Sequence, residues 1–180
     1  GKAAYAVCLA CHGADGMGNK ALNSPSIAGL STWYLERQLK NYKAGIRGAD
    51  PKDKYGMQMR PMSLTLPTDQ AVADMAAYVA SMPRKQVSST VKGDPVAGKK
   101  AYMICQSCHG PKGGGNAALN SPKLSGQHDW YLVRQLKNFK SGVRGTKSGD
   151  VYGAQMRPMA MTLANEETIN NVAAYIATFK

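Results

Sequence analysis

The sequence has few aromatic residues and no long apolar run. Phe, Trp and Tyr make up 7% of its 180 residues, and no apolar stretch approaches the ~18 residues that span a bilayer. The strict alternation of apolar and polar residues that is typical of strands is also missing. Because 43% of the residues are hydrophobic, the chain can still bury a core. The composition excludes a disordered tail and a membrane-spanning segment, and it leaves open how a core so poor in aromatics is closed.

Acidic residues are scarce as well. The sequence has 11 Asp and Glu against 23 Lys and Arg, a formal net charge of +12. Such a charge keeps a protein soluble or steers it toward acidic protein patches or anionic membrane surfaces. Residues 1–83 carry +3 and residues 98–180 carry +7, so the two ends are expected to face different partners. Nucleic acid is not an expected partner, because no recognition motif is present.

The sequence contains one internal repeat. Residues 1–83 align without a gap to residues 98–180, and about half of the positions are identical. A unit of this length is too long for a solenoid repeat and has the size of a small domain. We therefore predict an N-terminal domain over 1–83, a linker over 84–97 and a C-terminal domain over 98–180. Side chains present in both copies are the candidates for a shared site.

Each copy is predicted to be helical, which gives an all-α fold class. Long irregular stretches are expected between the helices of the first copy, over 13–32 and 46–67, and loops of that length need something to pack on. The third helix of each copy is expected to begin at an N-cap, Thr68 or Asn165. The other predicted helices cover roughly 1–10 and 33–44, with counterparts at 98–107 and 130–141. The second helix of each copy is expected to end at Gly45 or Gly142.

Each copy contains one C-x-x-C-H motif, ending at His12 and at His109. This is the attachment signature of a c-type haem. Two cysteines on one helical turn can reach the two vinyl groups of a porphyrin edge, and the following histidine then projects under the iron. Zinc would need four ligands, and a thioredoxin-like pair would need a βαβ setting. Two covalent haems are therefore predicted, and each would supply the apolar body that closes a small core.

The ligand on the other face of the iron distinguishes electron transfer from small-ligand chemistry. His128 has a serine as its counterpart in the first copy, so it is not shared. Among ten methionines, two pairs occur in both copies: Met59 with Met156, and Met62 with Met159. Both pairs lie in a stretch bracketed by Gly and Pro, ahead of the last helix. The residues alone do not choose between the two pairs.

With these motifs in this order, the sequence resembles the cytochrome c4 family, the two-domain dihaem cytochromes of bacterial periplasms. The resemblance covers the whole chain and includes Pro-x-x-x-Gly, Tyr-Leu-x-x-Gln-Leu and a methionine-bearing segment in each half. It implies an all-α protein of two tandem class I cytochrome c domains, each wrapped around one covalently attached haem c. It also implies an exported, periplasmic protein, and peripheral membrane association is compatible with the basic charge.

The resemblance further implies roles for individual residues. Met59 and Met156 would be the axial ligands, while Met62 and Met159 would be packing residues. A proline carbonyl would accept a hydrogen bond from each proximal imidazole and so fix the orientation of the ring. The residues implied are Cys8, Cys11, Cys105 and Cys108 as haem thioethers, His12, His109, Met59 and Met156 as iron ligands, and Pro25 and Pro122 behind the histidines.

Two further pairs of side chains could contact the haem propionates. Trp33 and Trp130 open the second helix of each copy, where an indole N–H could donate to a propionate. Arg60 and Arg157 follow the candidate axial methionines and could pair with the same groups. Plain packing of the indoles and solvation of the guanidinium groups are the alternatives.

These features predict an electron carrier and not an enzyme. Electrons would pass from respiratory donors to an acceptor such as a terminal oxidase. The alternative is a dihaem cytochrome subunit of a larger dehydrogenase, such as a flavocytochrome sulfide dehydrogenase, which would use the same site chemistry. A dihaem peroxidase needs an iron that opens, whereas both copies keep their methionines. A thiosulfate dehydrogenase is expected to use a cysteine ligand, and the sequence has no fifth cysteine.

Overall fold

The computed structural model describes all 180 residues and is built from helices joined by loops. It divides into two compact units, Gly1–Lys85 and Gln86–Lys180. The only strand-like pairing is one isolated bridge in each unit, which joins Asn19 to Ser24 in the first. The predicted all-α fold class is therefore confirmed.

The first unit packs its helices around a small apolar core. Helix α2 lies against α3 and against α4. One apolar face of α4 is buried and consists of Val72, Met75, Ala76 and Val79. Tyr5, from the turn before α1, joins this core and meets the ring of Tyr78 edge-on at 5.4 Å. The helices are α1 (Ala6–His12), α2 (Thr32–Lys43), α3 (Lys54–Leu64) and α4 (Asp69–Ala80).

The second unit repeats this arrangement with one additional helix. Helix α9 packs against α5 and α7, and α7 also packs against α8. The segment predicted as a single helix over 98–107 consists of two helices. The first begins earlier than predicted, because Asp94 caps it by accepting from Val96 N at 2.8 Å and Pro95 suits a first turn. The helices are α5 (Pro95–Tyr102), α6 (Gln106–His109), α7 (Asp129–Lys140), α8 (Val151–Met161) and α9 (Glu166–Ala177).

The prediction that 46–67 is irregular is wrong, because α3 lies within it and carries both methionines of interest. Two residues in this stretch of the sequence argue against a helix. Gly56 and Pro61 are poor helix formers, yet both lie inside α3. Asp53 caps the helix by accepting from Gly56 N at 3.1 Å, and a Cβ on Gly56 would lie 2.0 Å from its carboxylate. The glycine is thus required by the cap and does not mark a loop.

The helix ends predicted from the sequence are found in the structure. Thr68 accepts from Ala71 N at 3.1 Å, and Asn165 accepts from Thr168 N at 2.9 Å. Each of these bonds satisfies a backbone donor at the first turn of a helix. Beyond α2, Gly45 has a left-handed backbone with φ 71°, which ends the helix as predicted.

The residues predicted to link the two copies are hydrogen-bonded within one unit or the other. The Arg84 guanidinium donates to the carbonyl of Ala28 at 2.7 Å within the first unit. The Gln86 amide donates to the carbonyl of Ala177 at 3.1 Å within the second. The last part of the predicted linker, from Pro95, is already helical.

Candidate haem sites

The four cysteines are unpaired thiols at matching places in the two units. Cys8 and Cys105 are half-buried, whereas Cys11 and Cys108 are exposed. Burial raises the pKa of Cys8 above its usual value and that of Cys105 to about 11, in each case with a smaller contribution from the neighbouring cysteine. The thiols of Cys8 and Cys105 are therefore protonated at neutral pH. No disulfide uses them, so both pairs are available for thioether bonds.

His12 and His109 are buried and held by matching hydrogen bonds. Their exposed fractions are 4% and 5%. Nδ1 of His12 lies 2.9 Å from the carbonyl oxygen of Pro25, and Nδ1 of His109 lies 2.8 Å from that of Pro122. A carbonyl can only accept, so Nδ1 must carry the proton. Burial lowers the pKa of both rings, and the bond to the proline opposes this. Each neutral ring therefore keeps its Nε2 lone pair for a metal.

A tight loop brings each proline carbonyl to its histidine. In the first unit, Asn19 and Ser24 pair through two backbone bonds of 2.9 and 3.0 Å. Asn23 lies between them with φ 58°, and its counterpart Asn120 has φ 54°. Asparagine tolerates this left-handed conformation better than other residues with a side chain. The recurring Asn-Ser-Pro sequence is thus what turns the proline carbonyl toward the ring.

A tyrosine hydroxyl supports the other side of each motif, and this contact was not predicted. Tyr5 Oη donates to the carbonyl of Gly13 at 2.8 Å, and Tyr102 Oη donates to that of Gly110 at 2.8 Å. Each glycine directly follows the motif histidine. The signal was available in the sequence, because a tyrosine precedes the first motif cysteine by three residues in both copies.

The candidate methionines lie on helices and not in a loop. Met59 is half-buried on α3 and Met156 is half-buried on α8. In the first unit the competing Met62 is more open, with 39% of its surface exposed. In the second unit Met159 is half-buried. The helical placement fixes the spacing of the two pairs but does not by itself choose the ligand.

The two tryptophans occupy the first turns of α2 and α7 and are half-buried. The Arg37 guanidinium lies 4.8 Å from the ring centroid of Trp33, and that of Arg134 lies 5.1 Å from the centroid of Trp130. The ring of His128 is stacked on Trp130 at 5.2 Å. The indole N–H of Trp130 is buried and has no hydrogen-bond partner. A buried donor without a partner is costly, so this N–H fits a propionate acceptor.

Arg60 and Arg157 fold back toward the loop that follows the second helix of their unit. A Cβ on Gly45 would lie 3.3 Å from Nη2 of Arg60, and one on Gly142 would lie 3.5 Å from Nη2 of Arg157. The Nε atoms of both arginines are buried and lack a partner. These donors also fit an anionic group that is bound beside them.

A second pair of arginines is more deeply buried and was missed by the sequence analysis. Arg47 is 5% exposed and donates to Gln38 at 2.7 Å; its guanidinium lies 4.5 Å from the centroid of Tyr42. Arg144 is 6% exposed and donates to Gln135 at 2.6 Å. The signal was the arginine in the Gly-x-Arg-Gly segment of both copies.

The residues of each unit fit a covalently bound haem. The structure supplies unpaired thiols on one turn, a buried neutral imidazole and buried unsatisfied donors. No cluster of three or more His, Cys, Asp or Glu side chains could hold a metal ion by itself.

None of the helices is long and apolar enough to cross a membrane.

Comparison with known proteins identifies the family. The Cytochrome c family model matches residues 1–83 and 95–180. The sequence is 36% identical over 190 residues to "Cytochrome c4" of Azotobacter vinelandii. This match covers 98% of the present chain and 86% of the relative. It is 33% identical to "Thiosulfate dehydrogenase electron acceptor" of Thiomonas intermedia (strain K12), covering 96% and 78%. The crystal structure of reduced recombinant cytochrome c4 from Pseudomonas stutzeri superposes with a TM-score of 0.75 at 32% identity, covering 99% and 98%.

These matches extend over both halves of the chain and agree with the repeated architecture. They confirm the predicted tandem cytochrome c domains and the prediction of two haem c groups, one for each C-x-x-C-H motif. The function common to these relatives is electron transfer. The chain belongs to the cytochrome c4 family of dihaem c-type cytochromes.

Proposed function

We propose that this chain is a periplasmic electron carrier in which both irons are six-coordinate, and that it is not itself an enzyme. Segments 1–83 and 98–180 would be the two haem-carrying domains, joined through 84–97. Electrons would enter from a respiratory donor and leave to an acceptor such as a terminal oxidase. The observation that carries the proposal is the identical support behind His12 and His109, combined with a methionine pair in each unit.

The residues on the histidine side supply a strong, fixed ligand. The Nδ1–H bond to Pro25 or Pro122 holds the ring in one tautomer and increases the basicity of Nε2. Burial of the ring keeps protons from competing with the iron for that nitrogen. The bound iron supplies reversible one-electron chemistry.

On the opposite side we propose Met59 and Met156 as ligands. A thioether ligand raises the reduction potential and closes the iron to small molecules. The half-burial of both residues supports the assignment, since an axial ligand must face inward. In the first unit the greater exposure of Met62 supports a role outside the iron site.

The test is an optical spectrum of the oxidised and reduced protein, with haem quantified per chain. The weak red charge-transfer band of an iron–methionine bond should be present in the oxidised protein. It should be lost when Met59→Ala and Met156→Ala are combined. The matched control, Met62→Ala with Met159→Ala, should retain it. A high-spin spectrum of the parent protein that binds carbon monoxide readily would contradict the carrier proposal.

We propose Trp33, Trp130, Arg60 and Arg157 as donors to the haem propionates. The buried, unpartnered N–H of Trp130 and the buried Nε atoms of the two arginines support this role. A hydrogen bond to a propionate offsets its negative charge, so loss of the donor stabilises the ferric iron. Trp130→Phe should therefore lower the potential of the second haem and leave the first unchanged. An unchanged second potential would contradict this role.

The identity of the donor has one specific lead. The chain resembles a thiosulfate dehydrogenase electron acceptor over most of its length. A thiosulfate-oxidising enzyme is therefore a second candidate for the donor, beside those of the respiratory chain. Rapid reduction of both haems by thiosulfate in the presence of such a dehydrogenase, and not in its absence, would support this donor. The alternative role as a dehydrogenase subunit would require a stable complex on gel filtration.

A further inference from the structure

In the first unit, two loops behind His12 bind a stretch of extended chain. The loops are 13–17 and 25–29, and the chain that lies on them is Arg84 with Lys85. The Lys85 ammonium pairs with Asp15 at 2.8 Å, and its backbone N–H points to the Met17 sulfur at 3.5 Å. Arg84 adds its bond to the Ala28 carbonyl. This loop pair is therefore a surface that accepts an extended segment, with a carboxylate to receive its cation.

The second unit has the same loop pair with the same backbone bonds. Leu124 N and Ser125 N both donate to the carbonyl of Gly113, at 2.8 and 3.0 Å. In the first unit Ile27 N and Ala28 N donate to Gly16 at the same two distances. The backbone that presents the surface is thus the same in both copies.

The charge on the second loop pair is reversed. Lys112 stands where the first unit has Asp15, and Lys123 stands where it has the fully buried Ser26. Lys112 is exposed and Lys123 half-buried. None of the three ion pairs of the structure involves either lysine. The described surface therefore carries two cations without an ion-pair partner.

The second loop pair also has more room than the first. The counterpart of Met17, whose sulfur lies under the Lys85 backbone, is Gly114. A Cβ placed on Gly114 would meet nothing within 4 Å. A segment that approaches this loop pair would therefore meet open space at Gly114, in the loop that also carries Lys112.

We propose that loops 110–114 and 122–126 form a docking surface for an acidic, extended segment of a redox partner protein. The carboxylates of that segment would pair with Lys112 and Lys123, which reverses the polarity of the Asp15–Lys85 contact. The first loop follows His109 directly and the second begins at Pro122, whose carbonyl holds the His109 ring, so the partner would be seated beside the proposed iron ligand of the second haem. The proposal rests on the proposed carrier function and adds the side of the molecule that the partner meets.

A protein segment fits the surface better than a lipid headgroup does. In the first unit the loops bind main-chain and side-chain groups of an extended peptide together. A membrane surface offers anionic charge but no such chain. Anionic lipid is therefore the competing outcome of the test, and vesicles of phosphatidylglycerol are its probe.

The test compares the holoprotein with two variants of equal charge. One variant, Lys112→Asp with Lys123→Ser, places the first unit's residues on the second loop pair. The control, Lys147→Asp with Lys99→Ser, changes two exposed lysines outside these loops by the same formal charge. The probe is a fluorescein-labelled oligoglutamate peptide, and its affinity is measured by anisotropy at low ionic strength.

We expect the loop variant to bind the peptide about tenfold more weakly than the parent, with the control within about twofold. Amide resonances of Gly113 and Leu124 should shift when the peptide is added to the parent protein. Equal losses in both variants would reduce the effect to net charge and overturn the proposal. Loss of vesicle binding without loss of peptide binding would overturn it as well.

The carrier proposal and the docking proposal can fail separately. Haem content and the iron–methionine band are measured on the same samples and report on the carrier function alone. If those signals are normal and the loop variant binds the peptide like the parent, only the docking surface is wrong. If the parent shows an open iron but the peptide contrast persists, only the carrier proposal is wrong.

Discussion

The two units begin their tryptophan-bearing helices in different ways. In the first unit α2 opens at Thr32, and no side chain caps it. In the second unit α7 opens at Asp129, which is fully buried. Its carboxylate accepts from the backbone of Thr90 and from Val91 N at 2.7 Å, as well as from Trp130 N at 2.7 Å. Asp129 therefore ties the chain that enters the second unit to the start of α7.

The contacts behind the two histidines differ far less. The His–Pro distances agree within a tenth of an ångström, and the two Tyr–Gly distances are identical. The two copies have therefore diverged at the start of the tryptophan-bearing helix, where only the second copy binds the chain that enters its unit. They have kept the residues that hold the two motif histidines. Changes at matched positions can show how far this division extends.

The largest effect is expected from removing one pair of cysteines. Cys8→Ser with Cys11→Ser should leave a protein with a single haem, bound in the second unit. Cys105→Ser with Cys108→Ser should leave the single haem in the first. Without the thioethers a unit loses the apolar body that completes its small core. Haem content per chain and mass spectrometry of the two halves after proteolysis measure the result.

Each cysteine variant serves as the control for the other. If either one lost both haems, the units would not mature independently, and the comparison between them would break down.

The next effect concerns Asp129 alone. Asp129→Thr gives the second unit the residue of the first. It should destabilise the second unit by about 3 kcal/mol, because buried backbone donors lose a charged acceptor. The change Thr32→Ala at the matching position should alter stability by no more than about 0.5 kcal/mol, because no side chain caps α2. Amide hydrogen exchange in α7 and in α2 separates the two results, and equal protection of α7 in parent and variant would contradict the assignment.

The same carboxylate gives the second unit its own dependence on pH. Burial raises the pKa of Asp129, but the bonds from Val91, Thr90 and Trp130 outweigh it and hold the pKa below its usual value. The stabilisation is therefore present above the unfolded pKa of about 3.9 and is lost as the pH falls through the folded pKa. In acid, α7 should lose protection from hydrogen exchange before α2 does. The Asp129→Thr variant should remove this difference.

A smaller and symmetric effect is expected at the tyrosines. Tyr5→Phe and Tyr102→Phe each remove one hydrogen bond to the glycine after the motif. Each should cost about 1 kcal/mol of unfolding free energy. Because the two distances are the same, the two costs should agree within measurement error in thermal unfolding. A clear inequality would show that the interiors have diverged more than their geometry indicates.

The smallest effect is expected at Asp15. Its ion pair with Lys85 is on the surface, where the two side chains are 46% and 61% exposed. Asp15→Asn should change the stability of the first unit by about 0.5 kcal/mol or less, and less still in high salt. Chemical denaturation at two salt concentrations measures this. A loss above about 1 kcal/mol would mean that the bond of Lys85 orders more of the chain than its exposure suggests.

The sequence predicted the parts of the fold that depend on local patterns. The capped starts at Thr68 and Asn165 and the stop at Gly45 follow from the preferences of single residues. Helix α3 was missed because Gly56 and Pro61 argue locally against a helix, whereas the cap at Asp53 requires the glycine. Such a requirement is visible only once the turn is built.

The candidate site was predictable to a similar extent. The C-x-x-C-H motifs carry their chemistry in their spacing, and the tyrosine three residues before them could have been read from the repeat. The hydrogen bond from His12 to Pro25 spans 13 residues and was anticipated only through a family resemblance. The burial of Arg47 was missed, because a lone arginine between glycines is expected on the surface.

The hydrogen bond behind each histidine also provides a way to measure local opening by proton exchange. The Nδ1 proton of His12 is buried and held by a carbonyl, so it can exchange with solvent only when the loop that carries Pro25 moves away. The same is true of His109 and the loop of Pro122. The exchange lifetimes of these two protons therefore measure how often each unit opens directly behind its motif histidine. One molecule thus contains two such protons, and their exchange lifetimes can be compared in a single sample.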